Sequence, residues 1–241
     1  VDAFVDAVGP IETATTVVSL AEDDHGVTVG ALATRDGRRE RSAIRARAAI
    51  VATTAPVARA LLADHALRPA AAAFLASVRT RTYTAVGLIV EAPALERFRY
   101  IVSPSRALDV VIQQASADGV HRTLLCYYAD PMAPTIATQS DDAIVALTLR
   151  ELAALGCAGC THETLRASAV RRWDAVGTVI DAAYASAKSD DVVRAADRVF
   201  LAGDDVALER AWGYGTVDAV AAGRVAAAQC TQLLAREPRS P

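Results

Sequence analysis

The sequence predicts a mixed α/β (α+β) fold made of two interleaved regions. Three observations carry that prediction. Short β-branched runs alternate with Ala-rich helical stretches along 241 residues, a length that can bury a substantial core. An early stretch reads as a β-meander. Late in the chain, Val199, Phe200, Leu201 and Ala202 read as a short buried strand ending in Gly203-Asp204; a Gly-rich turn then opens an Ala-rich helix.

Taken in order, Val1, Phe4, Val5 and Val8 fall at i, i+3, i+4, i+7 and predict a first helix, stopped by Gly9-Pro10. Residues 13–20 and 27–34 are β-rich, with Val27, Val29, Ala31 and Ala33 on one face. Asp36-Gly37 suits a hairpin turn, and 39–47 returns with Ile44 facing inward. The apolar run 48–53 is a buried strand, and Pro56 starts a helix through Leu62. A second helix spans 70–78, followed by a strand over 83–90. Segments 108–113 and 123–128 form a hairpin around Asp118-Gly119. Ser140 caps an amphipathic helix carrying Ile144, Val145, Leu149 and Leu152, and Gly156 ends it. Residues 165–173 make another strand, and 186–191 a polar loop. The domains expected are 1–68 and 191–241 as two parts of one region, with 69–190 between them.

Composition removes several classes of function. Hydrophobic residues are 53%, charged residues 22% and the net charge is −3, an ordinary globular balance. Arginines dominate the cations, with Lys188 the sole lysine, but acids offset them and no basic run occurs, so no nucleic-acid partner is expected. No apolar run reaches about 18 residues, so no transmembrane helix is expected either. Cys157 and Cys160, with His162 nearby, have the spacing of a redox pair or half a zinc site. A second pair is missing, so with Cys126 and Cys230 they read as reduced thiols, which fits a cytoplasmic setting. No metal site is expected. The chain opens on Val1, inside a helix, with Met132 as its only methionine, and reads as a piece of something longer.

The stretch 198–228 carries the chemistry. Glycines allow a backbone to approach a ligand closely. A helix start offers free N–H groups and a partial positive charge. Asp204, at the end of a strand, can accept hydrogen bonds from ligand hydroxyls. Together they suggest a cofactor site.

This stretch, with Val199 to Asp204 followed by a glycine turn and Gly223 within the helix, resembles the C-terminal flavin motif of FAD-dependent oxidoreductases. The group includes flavin amine oxidases, protoporphyrinogen oxidases and phytoene desaturases. The resemblance implies a partial FAD/NAD(P)-binding (Rossmann-like) domain with a β-meander, plus a mixed-sheet substrate domain. It implies FAD as cofactor, with Gly203 and Asp204 at its ribityl–pyrophosphate part and Gly215, Thr216 and Val217 at the flavin edge. Trp212 and Tyr214 would line a substrate pocket or simply pack the turn. Trp173, in an Arg-Trp strand similar to that of protoporphyrinogen oxidases, would be a core or domain-interface residue, with substrate contact as the second reading. Gln113 or Gln114 would face a cavity or solvent. Gly223 would admit a close neighbour.

Two departures qualify the resemblance. A strand, Gly-x-Gly-x-x-Gly turn and helix for the pyrophosphate is missing, and Gly213-Tyr-Gly-Thr-Val-Asp218 does not replace it. The fingerprint would come from a missing N-terminal segment or another chain. The strand over 83–90 has no lysine, and Lys188 would sit solvated in a loop, which points away from amine oxidation. The resulting expectation is the C-terminal part of an FAD-dependent oxidoreductase dehydrogenating a small, fairly apolar organic substrate by hydride transfer. The alternatives are a non-catalytic α/β binding module that has lost FAD, or one subunit of a split flavoenzyme.

Overall fold

A computed structural model describes residues 8, 11–91, 98–115, 119–206 and 215–236. The expected first helix lies almost wholly outside the described residues; Val8 alone is seen, helical and exposed. The chain divides into two compact units, 1–79 with 179–241, and 80–178. The boundaries differ from the 68/69 and 190/191 of the sequence reading. The helices Pro69–Ser77 and Ala182–Ala187 place Phe74, Leu75 and Tyr184 in the core of the first unit, which draws both into it.

In the first unit, β1 (Thr15–Asp23), β2 (Gly26–Arg35) and β3 (Arg38–Ala46) form an antiparallel meander. Asp36 and Gly37 take positive φ angles of 48° and 74°, the pair of values that a tight hairpin turn requires. Val27, Ala31 and Ala33 are buried as their alternation predicts. Ile44 is not: it lies opposite Val29 on edge strand β3 and is 49% exposed. Its parity was right, but the core does not extend to that edge.

The unit's second sheet is a parallel pair, β4 (Ala49–Val51) and β10 (Val199–Leu201). All three residues of β10 are buried, as continuous apolar runs in parallel sheets are. Helices α1 (Ala55–Leu61) and α2 (Pro69–Ser77) each begin with a proline in the first turn, where a missing N–H costs nothing. Later come α5 (Ala182–Ala187) and α6 (Thr216–Arg236). Ala222, Ala226, Cys230 and Leu233 of α6, at i, i+4, i+8 and i+11, pack on a core that includes Phe74, Phe200 and Leu201. Arg198 locks the meander to the start of β10. Its N–H donates to Glu22, and its guanidinium donates to the carbonyls of Arg47 (3.1 Å) and Asp24 (2.6 Å).

The second unit is a five-stranded sheet, order β6-β7-β8-β5-β9, formed by β5 (Thr80–Glu91), β6 (Tyr100–Val102), β7 (Val110–Ala115), β8 (His121–Tyr128) and β9 (Leu165–Thr178). It was expected to be mixed; every pairing is antiparallel, because each strand neighbours one running back against it. The short α3 (Ala133–Ala137) precedes α4 (Asp141–Ala154), and both contact β5 or its neighbour β9. Ser140 caps α4 by accepting the Ala143 N–H (3.3 Å). One face of the sheet, carrying Val86, Leu88, Leu124, Cys126 and Tyr128, is covered by Ile144, Leu149 and Leu152 of α4. No described element of this unit covers the other face.

Candidate functional site

Parallel strands β4 and β10 deliver their carboxyl ends to one edge, where open α/β sheets bind ligands. The Ala202 N–H donates to the Val51 carbonyl (2.9 Å), extending the pairing one step. Gly203 then takes φ 132°, a conformation barred to side-chain-bearing residues, and a Cβ built there would touch nothing within 4 Å. A short 3-10 turn, Asp204–Val206, follows. Asp204 receives the Asp205 N–H (3.1 Å) on Oδ1 and keeps the rest of its carboxylate for other donors.

On the far side of residues 207–214, Gly215 has φ 123° and again open space where a Cβ would project. Helix α6 begins at the next residue and packs on the Asp204–Val206 turn and on β10. Its first internal bond runs from the Ala219 N–H to the Gly215 carbonyl (3.1 Å), leaving the N–H groups of Thr216, Val217 and Asp218 without helical partners. Val217 is 81% exposed, an unusual place for an apolar side chain with nothing above it. The structure therefore joins Gly203, Asp204, Gly215, Thr216 and Val217 along one helix start and one strand end. Trp212 and Tyr214 lie outside the described residues.

Three residues that the sequence reading missed support this turn. Asp205 Oδ2 accepts the Ala55 N–H (3.4 Å), tying the end of β10 to the first residue of α1. The Tyr184 hydroxyl donates to the Asp205 carbonyl (2.7 Å). Lys188 Nζ donates to that hydroxyl (2.9 Å) and lies 5.1 Å from the ring centroid. Lys188 is thus half-buried at the end of α5 and not a solvated loop residue, because Tyr184 stands one helical turn before it. Burial, and then the charge of Asp204, push the Asp205 carboxyl above its ordinary range; the Ala55 N–H and Lys188 oppose this. The Asp-Asp doublet and the Tyr/Lys pair four apart were the available signals.

Gly223 does not act as expected. A Cβ there would meet nothing within 4 Å, so no described neighbour needs the missing side chain. Among the described residues no group of His, Cys, Asp or Glu is arranged to hold a metal. Cys126, Cys157 and Cys160 form no disulfide and are buried, and burial pushes the Cys160 thiol up to about 12 and the Cys126 thiol well above its ordinary range, so neither is a ready nucleophile.

In the second unit, Trp173 of β9 stands opposite Tyr83 of β5 and is 43% exposed, so it is not a core residue of that unit. Gln113 is engaged by the Phe98 N–H (3.1 Å) and Gln114 is exposed.

Comparison with known proteins identifies the arrangement. The model of the family described as flavin containing amine oxidoreductase matches residues 2–231, nearly the whole chain. This chain belongs to that family. The flavin containing amine oxidoreductase fold is also found in solved structures. Cyclohexylamine oxidase from Brevibacterium oxydans aligns with TM-score 0.70 at 17% identity, over 92% of this chain and 49% of its own. Putrescine oxidase bound to putrescine aligns with TM-score 0.64 at 18% identity and the same coverage. A protein assigned as a protoporphyrinogen oxidase, from an Exiguobacterium species, gives 0.63 at 15% identity, over 92% of this chain and 47% of its own. The chain thus spans about half the length of the solved structures it matches. No curated protein was found to match it.

The residues present fit the flavin side of FAD. Two glycines at positive φ leave open space against the strand end, an acid stands beside them, and a helix start with no cap among the described residues faces the same turn. No helix among the described residues is long and apolar enough to cross a membrane.

Proposed function

We propose that this chain is the C-terminal part of an FAD-dependent oxidoreductase that dehydrogenates a small, fairly apolar organic substrate by hydride transfer. The observation that carries the reading is the convergence of Gly203, Asp204 and the open start of α6 at the carboxyl end of a parallel strand pair. FAD, when bound, supplies the redox chemistry, so no protein nucleophile is required. Asp204 holds hydroxyl groups through its free carboxylate oxygens. The N–H groups of Thr216 and Val217 offer hydrogen bonds and the positive end of the helix dipole to a developing negative charge. Gly203 and Gly215 keep the backbone accessible to the ligand.

The dinucleotide fingerprint comes, in this reading, from polypeptide other than the described residues. The N–H and C=O groups of Ala49 and Val51 face β10, so those of Ile50 face away. Among the described residues no strand pairs with that edge of β4, and the proposed added segment would pair there as one more parallel strand.

The test is flavin retention. The chain is incubated with FAD and desalted, alone and together with the fingerprint-bearing segment, and flavin absorbance near ~450 nm is read. Retention only with the segment present, weakened about tenfold or more in Asp204→Ala, is expected. Retention by neither form, with Asp204→Ala behaving like the parent, would leave a non-catalytic binding module as the better account.

A further inference from the structure

Described elements of the second unit cover one face of its sheet, and the face they leave uncovered is chemically lopsided. Direct cross-strand partners share a face. Trp173 opposite Tyr83, Arg171 opposite Ala85, and Ala169 opposite Gly87 therefore lie together on β9 and β5. Tyr127 of β8 is opposite Ala85 and continues the same row. The helix-covered face holds the residues between them, among them Val86 and Arg172. This face thus has a floor of small residues (Ala85, Gly87, Ala169) bordered by three aromatic rings and the guanidinium of Arg171, with exposed Arg81 beyond Tyr83 on the same side.

Adjacent arginines on β9 behave in opposite ways. Arg172 is fully engaged, donating to the carbonyls of Ala137 and Gln139 (2.9 Å each) and pairing with Asp141 (2.7 Å). Arg171 is exposed and has neither a hydrogen bond nor an ion pair among the described residues. The acid farther along, Glu91, is paired with Arg166. Asp174, the residue after Trp173, alternates to the other side of the strand. Arg171, with Arg81 two rows along the same face, stands among apolar and aromatic groups with no carboxylate in those rows, a setting matched by an anion with an apolar body.

We infer that this face is the substrate surface and that Arg171 selects a substrate bearing a carboxylate next to an aromatic or alicyclic body. The inference rests on the reading of the second unit as substrate-binding. The planar guanidinium pairs a carboxylate through two parallel hydrogen bonds, while Tyr83 and Trp173 pack the apolar part. A simple amine is disfavoured, because its ammonium meets the like charge of Arg171 and no acid.

The test reads Trp173 emission in the whole chain without flavin. Trp212→Phe leaves Trp173 as the only tryptophan. Phenylbutyrate and phenylbutylamine are titrated as matched probes. Phenylbutyrate should change the emission saturably, phenylbutylamine should not, and Arg171→Gln should weaken phenylbutyrate about tenfold or more. Arg171→Lys should recover part of the loss, and far-ultraviolet dichroism checks that each variant is folded. Equal response to both probes, no saturable response to either, or an unchanged Arg171→Gln titration overturns the inference. Flavin retention is measured separately, on the chain together with the fingerprint-bearing segment. Carboxylate binding without flavin retention would remove the oxidoreductase reading and keep this one; flavin retention without carboxylate binding would do the reverse.

Discussion

Asp205 shows how one residue ties the end of a strand to the start of a helix. Its carboxyl is raised by burial and by the neighbouring Asp204 charge. A carboxyl with a higher pKa folded than unfolded favours the folded state when protonated. That contribution is complete below the ordinary Asp value and is lost as pH rises through the raised one. At neutral pH the ionised group therefore works against folding, while its Oδ2 still accepts the Ala55 N–H. Asp205→Asn keeps an acceptor and removes the charge. Its melting temperature at pH 7 should exceed the parent's by about 2 °C, and the difference should vanish towards pH 3. A lower melting temperature at pH 7 would mean that the charged hydrogen bond outweighs desolvation. The buried pair Tyr128 and Thr148 makes a second case. Thr148 Oγ1 donates to the Ile144 carbonyl (2.7 Å), so the Tyr128 hydroxyl donates to Thr148 (2.8 Å). Thr148→Val strands that hydroxyl and should cost about 1–3 kcal/mol, more than Tyr128→Phe, in urea unfolding. The reverse order would refute this donor assignment.

Among the elements, α6 contributes both a free start and a packed face. Only Ala222 and Ala226 are fully buried, so the helix rests on small side chains and its intrinsic propensity matters. Gly223 lies between them with open space at its Cβ position. Gly223→Ala should stabilise the protein by up to about 1 kcal/mol, seen as a higher denaturation midpoint with an unchanged slope. Destabilisation would show that an element beyond the described residues packs there. Strand β4 is the complementary case. One edge pairs with β10, and among the described residues no strand pairs with the other, which is uncommon for a parallel strand and fits the proposed added neighbour.

For the whole molecule, the two cores are distinct. One gathers Phe74, Phe200, Leu201 and Ala226; the other gathers Leu88, Leu124, Tyr128 and Leu152. Phe74→Ala, a loss of about 3–5 kcal/mol in a fully buried site, should speed hydrogen exchange in β10 and leave the centre of β8 protected. Equal acceleration in both would mean that the units unfold as one. Element order was legible because its signals are local: alternation in β2, the Asp36-Gly37 turn, Pro56 and Pro69 at helix starts, Ser140 as a cap. The proposed flavin-side residues could be named from sequence, since Gly203, Asp204 and Gly215 lie close in sequence around one strand and one helix. Other features arose only when distant residues met. The extension of the first unit to 79 and back from 179 depended on Phe74 packing on Tyr184, at 5.9 Å between ring centroids. Lys188 became part of the site through Tyr184 and Asp205. Exposure of Ile44 and the unpaired state of Arg171 were set by where sheets end and which face a helix covers. The sequence by itself determined most elements and the strand–glycine–helix pattern of the candidate site, because caps, turns and periodicity act within a few residues. The tertiary structure alone decided edges, burial and charge partners, because these are properties of surfaces that form only after the strands have paired.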